Sequence, residues 1–396
     1  MPTWTWQSRR WPDFSFDVAA LAPALAAARR AQGEVIGLAR ALGMDEARNA
    51  EAAIWASESV ATAAIEGEKL DLASVRSSIA RRMGLTDNPP SGQRAVEGLL
   101  DMMQDAASHW QQPLTLKRLC AWQAALFPTG YSGLHRIATG RLRRGTEPMQ
   151  IVSGPIDKPK VHYVAPPAAR LPAEVRTFLT WFNGESRTMD GLARAGIAHL
   201  WFEVIHPFED GNGRVGRAIV DLALAQHLEG HPRIVGLATE LSANRADYYA
   251  QLREASLEGA DITAWLTWFC DSLRKACGRS AAVMDASLFK ARFWAANSGK
   301  PLSAAQRKVV NRLLEAGPRG FEGDLTTRKY CALTGLSRAT AYRDLVALER
   351  QGVVAAFGQG KATRYHLAQE GWGPSPPVGS SPCGSAASPA RPLRVA

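Results

Sequence analysis

The sequence predicts a mainly α protein, on three observations. Leu171, Val175, Phe178, Leu179 and Phe182 recur at the spacing of one helix face, and Ile262, Trp265, Leu266, Phe269 and Leu273 do the same behind an Asp261 cap. The region before residue 86 is alanine-rich and helical in pattern, with one helix expected from about Ala47 to Ile65. β-prone runs are few and short.

In chain order, the entry segment Trp4-Thr-Trp and Trp11-Pro-Asp-Phe supplies aromatics suited to packing an N-terminal domain. Asp-Asn-Pro-Pro within residues 86–92 stops one helical region before another begins. Gln150–Ser153 and Val161–Val164 flank a turn-rich Gly-Pro-Ile-Asp-Lys-Pro segment, so 148–164 is expected to form a β-hairpin. Residues 303–367 have the order helix (Ala304–Leu314), helix (Thr326–Leu333), Thr-Gly turn, helix (Arg338–Arg350), then two strands around Gly358-Gln-Gly-Lys, which is that of a winged helix-turn-helix. Beyond Glu370 the chain is rich in Pro, Gly, Ser and Ala without periodicity, as disordered tails are. The expected domains are thus 1–90, 91–290, 297–368 and a tail at 369–396.

Hydrophobic residues make up 46% and charged residues 21%, near the globular average, which excludes a wholly disordered or collagen-like chain. Cys120, Cys270, Cys277, Cys331 and Cys383 include no CxxC pair, against a disulfide framework or structural zinc. The apolar run Val18–Ala28 contains Pro23 and precedes Arg29 and Arg30; it is too short to span a bilayer, and its flanks are wrong for a secretory signal. A soluble, cytoplasmic protein with no membrane partner is expected. The net charge is +10, of which residues 297–368 hold +7 (12 Lys/Arg against 5 Asp/Glu). That excess points to a polyanion or partner surface in the C-terminal module, with Arg338, Thr340 and Arg343 as DNA groove contacts and Lys361 and Arg364 as wing contacts.

The densest chemistry lies in His206-Pro-Phe-Glu-Asp-Gly-Asn-Gly-Arg-Val-Gly-Arg217. A Gly-Asn-Gly turn opening a helix exposes backbone N–H groups that lack intrahelical partners, a nest for phosphate. Arg214 and Arg217 project from one face at i, i+3. Asp210 suits Mg²⁺ bridging phosphate oxygens, and His206 is a candidate general base. A dinucleotide-binding GxGxxG lacks its βαβ context here, and a transition-metal site at His199, His206 and Asp210 lacks another convincing ligand.

This string resembles the HPFx(D/E)GNGRxxR motif of the Fic (Fido) family at every defined position, and the resemblance extends over roughly residues 100–290. It implies a helical Fic core with a β-hairpin flap, and transfer of AMP from ATP to a Ser, Thr or Tyr hydroxyl of a target protein, with Mg²⁺ or Mn²⁺. By this resemblance His206 deprotonates the hydroxyl and Asp210 holds the metal. Gly211, Asn212 and Gly213 line the anion hole, Arg214 supports the phosphates, and Arg217 reaches the γ-phosphate. The 148–164 hairpin corresponds to the flap that docks the target. Asn244 and Tyr248 are candidates for the adenosine pocket, with a core role for Tyr248 as the alternative.

Thr62-Ala-Ala-Ile-Glu66-Gly67 resembles the inhibitory (S/T)xxxE(G/N) motif of such proteins, placed N-terminally in the same chain. It implies that Glu66 pairs with Arg217 and blocks the γ-phosphate site, and the same glutamate suggests removal of AMP as a second activity. Two functional classes follow: an autoinhibited protein adenylyltransferase, and a DNA-binding regulator whose core senses nucleotide. A homodimer is left open.

Overall fold

The computed structural model describes residues 3–86, 94–153, 160–229, 234–257, 259, 261–317, 324–370 and 372. The chain divides into two compact units, Met1–Leu288 and Phe289–Ala396.

The first unit opens with α1 (Val18–Ala41), capped by the Asp17 carboxylate on the Ala19 and Ala20 amides, and continues through Pro23. That proline forfeits one backbone hydrogen bond near the helix start, so the apolar run is longer as a helix than the sequence suggests. α2 (Met44–Ile65) starts slightly before Ala47, with Asp45 and Glu46 favouring its N-terminus. Next come α3 (Leu72–Arg82), α4 (Arg94–Ser108) and α5 (Leu116–Leu126), then the short pair β1 (Tyr131–Ser132) and β2 (His135–Arg136). The expected hairpin is present as antiparallel β3 (Gln150–Ser153) and β4 (Lys160–Val164), with a bulge between Ile151 and Val152; its tip at 154–159 lies outside the described residues. α6 (Leu171–Asn183), α7 (Gly191–Ile205), α8 (Asn212–His227), α9 (Leu237–Ala243), α10 (Arg245–Ala255) and α11 (Thr263–Ala296) follow, the second unit beginning within α11.

α7 is buried on almost every side, as an all-round apolar helix must be, and packs against α6 and α8. Its Trp201 meets Trp11, Phe14, Phe178 and Trp181 in an aromatic cluster with ring centroids 5.2–6.0 Å apart. Gly216 of α8 makes the α7–α8 approach possible, because a Cβ there would overlap Glu203 and crowd the His199 ring. α4 and α5 likewise meet at Gly98, where an added Cβ would collide with the Ala125 carbonyl. Since a backbone group cannot swing aside, Gly98→Ala is expected to cost about 1–3 kcal/mol, read as a lowered Tm; an unchanged Tm would show that the two helices can separate freely.

The entry aromatics reach residues well beyond 90: Trp4 lies edge-on to Tyr163, Trp6 Nε1 donates to the Val164 carbonyl (2.8 Å), and Trp11 Nε1 donates to Glu174 (2.7 Å). Residues from both sides of the 90/91 boundary, among them Trp55, Ile65, Val96 and Leu100, share one hydrophobic core.

The second unit contains α12 (Ala304–Ala316), α13 (Thr327–Thr334), α14 (Arg338–Arg350), and antiparallel β5 (Val354–Phe357) and β6 (Arg364–Leu367). Ser303, Thr326 and Ser337 cap the three helices, and Gly335 in the left-handed region ends α13. Leu325 bridges to Tyr365 as a third short strand, completing the order of a winged helix. Among the described residues no helix is long and apolar enough to cross a membrane, and the four described cysteines are free. Most of the 369–396 tail lies outside the described residues.

Candidate active site

His206 ends α7 in the left-handed conformation (φ 47°), which turns the chain into the Pro-Phe-Glu-Asp loop. Arg143 fixes this turn: its Nε donates to the His206 carbonyl (2.8 Å), its backbone N–H to the Pro207 carbonyl (2.9 Å), and its Nη2 to the Pro166 carbonyl (2.6 Å). Asn212 closes the loop, its Oδ1 accepting from the Phe208 N–H (2.9 Å) and its Nδ2 donating to the Phe208 carbonyl (2.8 Å). The Asn212 side chain is therefore spent on the loop, and only its backbone is left for an anion. Gly211 (φ 87°) sits against Phe127 and Leu126, where a Cβ would crowd both, and α8 then starts with no side chain capping its amides.

His206 Nδ1 is buried facing Glu203, whose carboxylate lies 4.0 Å away, so Nε2 is the nitrogen left for chemistry. Burial, and after it the Arg143 charge, lower the His206 pKa to about 4. The imidazole is neutral at pH 7, with its lone pair free to accept a proton. Burial also pushes Glu203 up to about 8, so that carboxyl is protonated there. Asp210 accepts from Ser132 Oγ and lies 3.8 Å from Arg214. Among the described residues no three His, Cys, Asp or Glu side chains converge on a metal position. The protein thus offers one carboxylate, Asp210, to a Mg²⁺ whose remaining ligands would be phosphate oxygens and water, which is how such sites are commonly built.

α2 lies across the mouth of this nest. Arg217 donates through Nη2 to Glu66 Oε1 (2.7 Å) and the Thr62 carbonyl (3.0 Å), and through Nε to Thr62 Oγ1 (2.7 Å). Burial opposes ionisation of Glu66, yet the Arg217 guanidinium outweighs it and the pKa falls below the usual carboxylate value. The carboxylate oxygen rests where a Cβ of Gly213 would be. Gly67 (φ 83°) reverses the chain, its N–H bonding the Ala64 carbonyl and that of Glu68 the Ala63 carbonyl. The reversal delivers Glu68 to Arg214 Nη1 at 2.7 Å. Both motif arginines are thus occupied by carboxylates of one turn, while Arg214 Nε remains a buried donor with no partner, suited to an anion.

Residues 113–224 match the family described as Fic/DOC family. The chain carries a Fic/DOC family domain. Residues 4–85 match a domain of unknown function, DUF4172, and residues 322–368 match the C-terminal domain of a transcriptional regulator, DIP2311-like. The chain is 41% identical over 97 residues to a probable protein adenylyltransferase of Aquifex aeolicus, covering 24% of this chain and 27% of that one. It is 27% identical over 256 residues to the protein adenylyltransferase Fic of Drosophila virilis, covering 60% of this chain and 47% of that one. The chain therefore spans less than half the length of these relatives. A Fic domain containing signaling protein from Bacteroides thetaiotaomicron matches with a TM-score of 0.51 at 18% identity, over 67% of this chain and 98% of that one, a likeness of fold.

Around the Fic motif the structure brings together His206, Asp210, Gly211, Gly213, Arg214, Arg217, Thr62 and Glu66. Tyr248 lies within electrostatic reach of Arg217 and Glu66 but is closed off behind them. That ring is 1% exposed, stacks on His199, and its hydroxyl bonds His199 Nε2 at 2.7 Å, so Tyr248 takes the core alternative. His199, neutral with its pKa lowered by burial to about 3, is likewise a core residue. The exposed aromatic here is Tyr249, whose hydroxyl donates to the Ile65 carbonyl (3.2 Å); Asn244 is exposed and donates to Glu240. Sequence reasoning missed Arg143, Glu203, Glu68 and Glu58. The Glu58 carboxylate, buried on α2, accepts from the Ala238 and Thr239 amides (both 2.7 Å) and so pins α2 to the start of α9. Only Glu68 carried a sequence signal, standing two residues beyond Glu66.

In the second unit a cleft of about 1130 Å³ is lined by Thr326, Arg328, Lys329, Arg338, Tyr342 and Arg364 among others. Arg338 and Arg343 are exposed on α14 as expected. The Thr340 hydroxyl is instead tied to the Ser337 cap at 2.9 Å, and Tyr342, 58% exposed, presents itself on that face. The Lys361 side chain lies outside the described residues.

Proposed function

We propose that the protein is an autoinhibited adenylyltransferase that moves AMP from ATP onto a hydroxyl of a target protein. The observation that carries the reading is a neutral, buried His206 beside an uncapped helix start flanked by Arg214 and Arg217. In the reaction the target hydroxyl attacks the α-phosphorus, a new O–P bond forms, the bond to the bridging α,β oxygen breaks, and pyrophosphate leaves. His206 Nε2 takes the hydroxyl proton. The free amides at the start of α8 and the two arginines hold the phosphate chain, and Asp210 would hold Mg²⁺, which supplies charge neutralisation when bound. Removal of AMP would be a separate hydrolysis at the same site: a water positioned by Glu66 attacks the phosphorus, the bond to the target oxygen breaks, and AMP leaves as the target hydroxyl regains its proton. Mn²⁺ would fit the same carboxylate.

Inhibition follows from charge competition. A carboxylate on Arg217 fills the place needed by a γ-phosphate, so ATP is held without the alignment that in-line displacement needs. The two-stranded β3–β4 ribbon has exposed Ile151, Val152 and Val161, apolar positions on which an extended target segment can lie while pairing with the strand edge.

The test is the position of the label. ATP labelled at the α-phosphate should mark protein, ATP labelled at the γ-phosphate should not, and pyrophosphate should be released in proportion. Label from the γ-position would replace adenylyl by phosphoryl transfer.

The second reading rests on the basic cleft of the winged helix, which suits DNA phosphate. Binding of duplex DNA should weaken steeply as salt rises, and Arg338→Ala with Arg364→Ala should weaken it further; binding insensitive to salt would assign the winged helix to a protein partner. A homodimer formed through either unit is compatible with both readings.

A further inference from the structure

Four arginines stand against one glutamate between residues 129 and 147. One of them, Arg143, is consumed in fixing the His206 turn. Arg136 and Arg141 are different: both are exposed and, among the described residues, neither forms an ion pair. Together they line a cleft of about 510 Å³ whose other walls are Thr129, Gly130, Tyr131, Ile137 and Thr139.

The cleft is built onto the catalytic loop. The Ala138 N–H donates to Glu209 Oε2 (2.9 Å), and Ser132 Oγ bonds the Asp210 carboxylate. Gln123, fully buried, accepts from the Gly140 N–H (2.7 Å) and donates to the Asp210 carbonyl (3.4 Å). Within the cleft segment Ile137 N–H bonds the Gly130 carbonyl (3.0 Å), and Tyr131 pairs with Arg136 across β1–β2. The guanidiniums are therefore mounted on backbone that is hydrogen-bonded directly to residues 209 and 210. No residue of 206–217 or 62–68 lines the cleft, so it is separate from the nucleotide nest.

We propose that this cleft is a target-selectivity site that takes acidic side chains neighbouring the modified hydroxyl. Unpaired arginines beside an aromatic ring are the composition of interface anchors rather than of a free-ion site. The apolar rim supports a protein occupant: Tyr131 is half-exposed and Leu134, at the tip of the same hairpin, is 95% exposed. Carboxylates match the guanidinium fork and supply the complementary charge. The naming of the occupant as a target protein rests on the transfer reading above.

The test uses the full chain, with a short fluorescein-labelled peptide holding one tyrosine between glutamates, and its glutamine counterpart. The glutamate peptide should bind more tightly, with an advantage that shrinks as salt rises. Arg136→Glu with Arg141→Glu should lower its affinity about tenfold or more, as reversal of two contacting charges does. Arg338→Glu with Arg364→Glu, in the other unit, should not. Equal binding of the two peptides, or loss only with the second pair, overturns the proposal. AMP transfer to both peptides is measured in parallel with Glu66→Gly protein. Transfer that ignores Arg136 and Arg141 sinks the cleft and keeps the enzyme; arginine-dependent binding without any transfer keeps the cleft and sinks the enzyme.

Discussion

Replacing Glu66 by glycine is expected to raise AMP transfer roughly ten- to hundredfold. A hydrogen bond to a charged partner is worth about 1.5–3 kcal/mol, and each 1.4 kcal/mol is a factor of ten. Glu66 is only 26% exposed, so solvent screens its pair with Arg217 weakly. The gain should appear as incorporated α-label at fixed ATP. Glu66→Gln, which keeps the side-chain shape and the end of α2, should give most of it, because the charge on Arg217 is what competes with phosphate. If both variants transfer at the wild-type rate, Glu66 is not a brake.

Glu68 should contribute less, and differently. Its side chain is 44% exposed, and pairs of that kind are worth about 0.2–1 kcal/mol, so Glu68→Ala should change nucleotide affinity only about two- to fivefold. The effects of Glu66 and Glu68 are not expected to multiply independently, because the two carboxylates sit on adjacent arginines of one helix. The left-handed Gly67 turns the chain back so that Glu66 meets Arg217 and Glu68 meets Arg214, one helical turn earlier on α8.

Much of this site was legible because its parts are local in sequence. The string 206–217 contains the proposed base, the turn, the carboxylate proposed for a metal and both arginines, and the structure keeps them together around one loop. Glu66 was legible through a short motif whose partner, Arg217, lies far away in sequence but is named by chemistry. The supports were not legible. Arg143 acts on His206 through backbone carbonyls, Glu58 acts on α9 through backbone amides, and Gln123 bridges two loops, and such contacts leave no residue pattern. Tyr248 and Tyr249 are adjacent, and which one faces the core is decided by the stacking of Tyr248 on His199 and Trp268, a matter of tertiary packing. The helices themselves followed from periodicity.

His206→Ala is expected to lower transfer by roughly 10²–10⁴-fold, the usual contribution of a positioned base, while ATP is still bound through the α8 amides and the arginines. The pH profile separates a catalytic role from a structural one. With its pKa depressed to about 4 by burial and Arg143, His206 keeps its lone pair through the neutral range and loses it only as pH falls through that value. In the Glu66→Gly protein, where a neighbouring anion that raises the His206 pKa is gone, kcat/KM should therefore show no acid limb near the ordinary imidazole value of about 6.5. The same depression acts on stability with a definite sign. Between about 4 and the unfolded value of 6.5 the unfolded chain binds a proton that the folded chain does not, so His206 withdraws stability on acidification through that window, against the raised carboxyls of Glu203 and Glu58, which act with the opposite sign. His206→Ala should remove that contribution, so that Tm loses less on acidification than in the wild type, while His199, lowered further to about 3, contributes in both proteins. A kcat/KM profile that titrates near 6.5, together with a Tm profile unchanged by His206→Ala, would place the histidine in solvent and remove it from the reaction.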